Sequence, residues 1–195
     1  MMRFIALFVL ATLPASANPS FDCARADSGA ERMVCAEPAL ADLDRELATT
    51  FRAALSGPDM TGRRAQVLRA TQRGWIKGRD DCWKAEDEAI CIRDGYALRI
   101  AELRADYEGA RQDGITIGPL VYSCEGLAPR VAATFVNTGV PLVVLSWGED
   151  DAVLPLTRAA SGSRYADDDL TFWIKGDTAT FEFENGVGVG CTLPG

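Results

Sequence analysis

Leu170-Thr171-Phe172-Trp173-Ile174-Lys175-Gly176-Asp177-Thr178-Ala179-Thr180-Phe181 is the stretch whose period decides the fold of the chain's second part. Leu170, Phe172 and Ile174 fall on one face of a strand, and Thr171, Trp173 and Lys175 on the other. Gly176-Asp177 is the chemistry of a two-residue turn, and the chain runs back through Thr178. This predicts a β-hairpin with Lys175 at the tip of a stiff turn. The same period recurs on either side, in residues 120–124, 131–136, 141–147, 152–156, 178–183 and 187–192. Asn137-Thr138-Gly139, Gly148-Glu149-Asp150-Asp151 and Asn185-Gly186 separate them as turns. Seven or eight short strands at this spacing predict a small antiparallel barrel or sandwich.

Before about residue 111 the period is helical. Leu40, Leu43, Leu47, Phe51 and Leu55 share one face, with Asp42, Asp44, Arg45, Glu46 and Arg52 largely opposite. Leu68, Thr71, Trp75 and Arg79 repeat the pattern, as do Ile92, Tyr96, Ile100, Leu103 and Tyr107. A shorter helix spans 29–35 and stops before Pro38. The fold class is therefore α+β in several domains: a small helical bundle followed by an antiparallel β-barrel of about eight strands. The expected division is helical residues 19–108, a polar, Gly-rich linker at 109–117, and barrel residues 118–195.

Residues 1–17 read as a cleavable secretory signal. Arg3 supplies the charge, residues 4–13 the apolar core, and Ala15-Ser16-Ala17 the small-residue cleavage pattern. The apolar run is about half of the roughly 20 residues that a spanning helix needs. No small-residue lipobox precedes Cys23, so the expected product is periplasmic and not lipidated. Six cysteines in an exported chain then favour three disulfides. Cys124 in the first strand and Cys191 in the last would tie the barrel's ends, worth about 4 kcal/mol by loop entropy. The other four allow three connectivities that sequence does not separate; the local pairs Cys23–Cys35 and Cys82–Cys91 are preferred.

The chain contains no histidine and no C-x-x-C pair, which argues against zinc and removes histidine-based nucleophile activation. Asp167-Asp168-Asp169 lacks the alternating ligands and closing glutamate of a calcium loop. No metal or other cofactor is expected. Residues 1–110 carry 15 basic and 17 acidic side chains and residues 111–195 carry 5 and 11, so −6 of the net −8 lies in the barrel part. That field repels nucleic acid and anionic membranes and steers cationic proteins inward.

Ser161-Gly162-Ser163-Arg164-Tyr165 precedes the hairpin. Gly162 permits an unusual backbone angle and close approach in that loop. Trp173 serves either as an anchor facing a cleft or as barrel packing, and the sequence leaves the choice open. The Cys124 strand, the S-G-x-x-Y loop, the W-x-K-G-D-x-A hairpin and the terminal Gly190-Cys191 resemble the MliC family of c-type lysozyme inhibitors, over about residues 118 to 193. The resemblance implies an eight-stranded barrel that blocks the lysozyme cleft, with Ser161 and Lys175 meeting the two catalytic carboxylates. Gly162, Tyr165 and Gly176 match supporting positions of the lysozyme-binding motifs. Asp167-Asp168-Asp169 departs from the pattern and is expected to alter the loop or to strengthen attraction to a cationic enzyme.

The helical part resembles the N-terminal domain of LprI-type proteins. Phe21-Asp22-Cys23, Val34-Cys35-Ala36, Leu43-Asp44-Arg45-Glu46-Leu47, Gln72-Arg73-x-Trp75, Arg79-Asp80-x-Cys82, Cys91-Ile92 and Arg99-Ile100-x-Glu102-Leu103 carry that likeness. That family too is linked to lysozyme inhibition, but these motifs read as core, caps and cross-links. The expected function is thus a periplasmic, non-enzymatic inhibitor whose partner is c-type lysozyme, with no membrane anchor. The competing readings are an envelope scaffold for other periplasmic proteins and a Ser161–Lys175 hydrolase, which would need a buried lysine and an oxyanion hole.

Overall fold

The computed structural model describes residues 18–126, 130–183 and 186–194; residues 1–17, expected to be a secretory signal, and Asn185 of the expected Asn185-Gly186 turn lie outside these. Four α-helices come first: α1 (Gly29–Ala36), α2 (Pro38–Leu55), α3 (Gly62–Asp80) and α4 (Glu88–Asp106). Each start has a local cause. Ser28 and Glu31 form a reciprocal capping box on α1, Pro38 occupies the first turn of α2, and Thr61 and Asp87 cap α3 and α4. α4 is the hub, with Ile92, Tyr96, Ala97, Ile100 and Leu103 all fully buried. One disulfide joins Cys23 to Cys35 at the end of α1. A second joins Cys82, in the 3-10 turn Asp81–Lys84, to Cys91 in the first turn of α4.

Eight strands follow as a closed antiparallel meander. They are β1 (Thr116–Cys124), β2 (Val131–Val136), β3 (Leu142–Trp147), β4 (Asp150–Thr157), β5 (Ser163–Ala166), β6 (Leu170–Lys175), β7 (Thr178–Phe183) and β8 (Gly188–Thr192). Cys124 and Cys191 are directly opposite where β1 meets β8, and their disulfide closes the barrel. Val131, Ala133, Val143, Leu145, Leu154, Phe172 and Phe181 fill the interior, with Phe172 edge-on to both Tyr122 and Phe181. β5 corrects the expectation of a loop at S-G-x-x-Y. Its four residues are too few to show a period, and pairing with β4 and β6 makes them a strand.

One wall of the barrel is dry on both faces. In β3 the run Leu142-Val143-Val144-Leu145 does not alternate with polar residues, as a strand with a wet face would. Val143 and Leu145 point inside, while Val136, Leu142, Val144 and Val153 join the helical core beneath α4. Two polar contacts fix the junction: Thr116 Oγ1 donates to Glu46 at 2.5 Å, and Arg104 Nε donates to the Gly118 carbonyl at 2.8 Å.

The connecting segment is fastened to α4. Arg104 also donates to the carbonyls of Ala110 (2.7 Å) and Gln112 (3.4 Å), and Arg111 returns bonds to the carbonyls of Arg104 and Ala105. Burial pushes the Arg104 pKa down, against the attraction of Glu46, so the charge is held there by its partners. Arg104→Met keeps much of the stem but leaves buried carbonyls unpaired, and is expected to cost about 2–4 kcal/mol. Urea unfolding together with proteolysis at 109–117 checks this. A variant within about 0.5 kcal/mol of the parent and equally resistant to cleavage would contradict the clamp.

Candidate functional site

In a meander barrel alternate connections open at the same end. The β4–β5 connection (158–162) and the β6–β7 turn at Gly176-Asp177 therefore share one rim. Pairing of Ser163 with Ile174 brings Ser161 and Gly162 beside Lys175. Gly162 lies at φ +69°, and a Cβ there would collide with the Ile174 carbonyl oxygen and stand 3.0 Å from Lys175 Cγ. Glycine is thus required twice at this point, by conformation and by space. Gly176 is also left-handed, at φ +61°, but faces open space. The turn is tied down by Thr178 Oγ1 donating to the Lys175 carbonyl (2.9 Å) and Leu193 N donating to the Asp177 carbonyl (2.8 Å).

Ser161 and Lys175 are exposed, and one half-buried side chain touches both residues. The Trp173 indole N–H donates to the Ser161 carbonyl at 2.9 Å, and Lys175 Nζ sits 3.7 Å from the centroid of the same ring. On the neighbouring strand Arg164 lies opposite Trp173 and donates to Thr157 Oγ1 and Thr171 Oγ1. Sequence reasoning left the role of Trp173 open. The signal was its place two residues before Lys175, which puts both on one face of β6.

Tyr165 stands apart from the other four motif residues. It is 5% exposed and packs on Phe135 inside the barrel, where burial, and then Tyr122, raise its pKa. It belongs to the barrel interior and is not part of the exposed rim. Asp167-Asp168-Asp169 form the β5–β6 connection, at the opposite end of the barrel from Lys175. Asp167 Oδ1 accepts from the backbone N–H groups of Asp169 and Leu170, so the run shapes its own turn and stands away from the Ser161 loop. Among the described residues no group of three or more metal-ligating side chains is arranged to hold an ion, and no helix is long and apolar enough to cross a membrane.

Gly162→Ala is expected to lower stability by about 1–3 kcal/mol, because strain and a backbone collision add. Gly176→Ala carries the strain alone and should cost about 1 kcal/mol. Urea midpoints of the two variants decide the matter; equal costs would mean that the loop yields freely to the new methyl group.

Chemically the rim offers an ammonium and a hydroxyl on anchored backbone, in a barrel part that carries most of the chain's negative charge. An exposed lysine stacked on an indole lacks the burial that would make it a base for Ser161. Residues 23–111 match the family described as lysozyme inhibitor LprI, and residues 122–189 match MliC, described as membrane-bound lysozyme-inhibitor of c-type lysozyme. Both descriptions name inhibitors rather than enzymes. No curated protein matches the chain significantly.

Proposed function

From an LprI-like region followed by an MliC-like region, the architecture of a two-domain lysozyme inhibitor, we propose that this chain inhibits c-type lysozyme by occluding its active-site cleft. The working place is the periplasm, and the working residues are Ser161 and Lys175 at the rim of the barrel. Residues 118–195 would carry the inhibitory rim, and residues 19–108 its helical support. Lysozyme's two catalytic carboxylates differ: an apolar pocket keeps one protonated, and the other stays ionised. The Lys175 ammonium pairs with the ionised one, and the Ser161 hydroxyl hydrogen-bonds beside it. The observation that carries this reading is the exposed ammonium held next to the Ser161 loop by a stiff hairpin. The acidic barrel part adds attraction for a cationic enzyme.

The test is inhibition of a purified c-type lysozyme on a peptidoglycan suspension by the full chain, with and without a β-linked N-acetylglucosamine trimer occupying the cleft. Occlusion predicts inhibition that the trimer weakens competitively. Absence of inhibition would sink the proposal, and inhibition indifferent to the trimer would place the contact outside the cleft.

A further inference from the structure

We infer that Trp173 is the positioning residue of this site, a single indole that sets Ser161 and Lys175 relative to each other. The inference rests on the occlusion reading and adds the part that prepares the two residues before the partner arrives. Trp173 belongs to neither hydrophobic core of the described residues; the interior positions of its strand are taken by Phe172 and Ile174. Its half-buried ring lies on the outer face of β6 and is engaged twice. The ring face is 3.7 Å from Lys175 Nζ. Indole is the most attractive of the aromatic faces for an ammonium. The ring edge donates its one N–H to the Ser161 carbonyl at 2.9 Å.

These contacts do different things. The hydrogen bond fastens the 158–162 connection to β6, so the Ser161 backbone cannot drift from the hairpin. The stack gathers a long side chain that would otherwise sample many rotamers at an exposed turn. A partner then meets a lysine already confined, and the ordering cost of binding falls. An aliphatic side chain would cover the same surface and do neither.

The test uses the full chain with Trp173→Leu, which removes both contacts, and Trp173→Phe, which keeps a ring and removes the N–H. The chain has only three lysines, at 77, 84 and 175, so the Lys175 ε-methylene NMR signal is accessible. In the free parent it should be shifted upfield by the ring current. The shift should vanish in Trp173→Leu and persist in part in Trp173→Phe. The inhibition constant against c-type lysozyme should rise at least about tenfold in Trp173→Leu and a few-fold in Trp173→Phe. In a Ser161→Ala/Lys175→Ala background, Trp173→Leu should add no further loss.

A Lys175 signal that Trp173→Leu leaves unchanged overturns the inference. So does a folded Trp173→Leu that inhibits like the parent while Lys175→Ala does not, or one that loses the same factor in the double background. If Ser161→Ala and Lys175→Ala both inhibit like the parent, the occlusion reading fails first and takes this one with it. Should Trp173→Leu not fold, the Trp173→Phe inhibition constant and Lys175 signal decide alone, and values equal to the parent's overturn the inference.

Discussion

Lys175→Ala is expected to weaken inhibition of c-type lysozyme by tens- to thousands-fold while the barrel stays folded. The magnitude follows from truncating one side of a desolvated charge pair, which typically costs about 2–5 kcal/mol, much of it the price of leaving the other charge buried without a partner. The fold should not suffer, because Lys175 is exposed at the end of β6 and its backbone anchors, Thr178 Oγ1 and Leu193 N, do not involve its ammonium. Inhibition constants measured beside thermal unfolding separate the two effects. A folded variant that inhibits as well as the parent would remove Lys175 from the interface. Salt gives an independent check. The excess of acidic side chains in residues 111–195 predicts slower association at high ionic strength, with a smaller effect on dissociation.

Arg79→Met should cost about 3–5 kcal/mol of stability, the range for removing one partner from a buried charged network. The Arg79 side chain is 4% exposed. It donates to Tyr96 Oη at 2.9 Å and to Asp80 Oδ1 at 2.7 Å, and Tyr96 Oη donates to Asp44 Oδ1 at 3.0 Å. Asp44 Oδ2 accepts from Ser20 N, and Ser28 Oγ donates to Asp80. The guanidinium thus binds Tyr96 of α4 and its neighbour Asp80 directly, and through them Asp44 of α2, Ser20 and Ser28 are drawn into one network. Burial works against the Arg79 charge, but Tyr96 and Asp80 outweigh it and its pKa is raised; burial and Asp44 keep the Tyr96 hydroxyl neutral far into alkali. Methionine fills similar space without a donor, leaving the Asp80 carboxylate short of its main counter-charge. Because α4 belongs to the helical core and also covers the barrel wall, the loss should shift one common unfolding transition. Urea curves followed by far- and near-ultraviolet circular dichroism measure both points. A loss below about 1 kcal/mol, or a barrel signal that stays put while the helices melt, would contradict this account.

Much of both regions was legible because their periods differ. The apolar stripes of α2 and α4 and the alternation in β2, β6 and β7 each follow from a side chain's need to face a core. The hairpin at Gly176-Asp177 was legible from turn chemistry, which by itself places Lys175 at a tip. Arg79 shows the limit. Helical spacing put it on the buried stripe of α3, but not with which partners, since Tyr96 and Asp44 come from other helices. Strand β5 is hidden for a related reason: four residues without alternation become a strand only when β4 and β6 flank them.

By itself the sequence determined two regions of different period, a hairpin presenting Lys175, and a glycine where the preceding loop must turn. These are local properties, set by backbone preference and by which face of an element is apolar. Tertiary structure alone decided that α4 covers one wall of the barrel, and that Arg104 clamps the connection between the regions. It alone put Asp167-Asp168-Asp169 at the far rim and Trp173 between Ser161 and Lys175. The covering of the barrel wall by α4 and the bond from Trp173 to the Ser161 carbonyl depend on residues of different elements meeting across strands or helices. Such meetings are settled by how the elements close on one another, and no short window of the chain contains both partners.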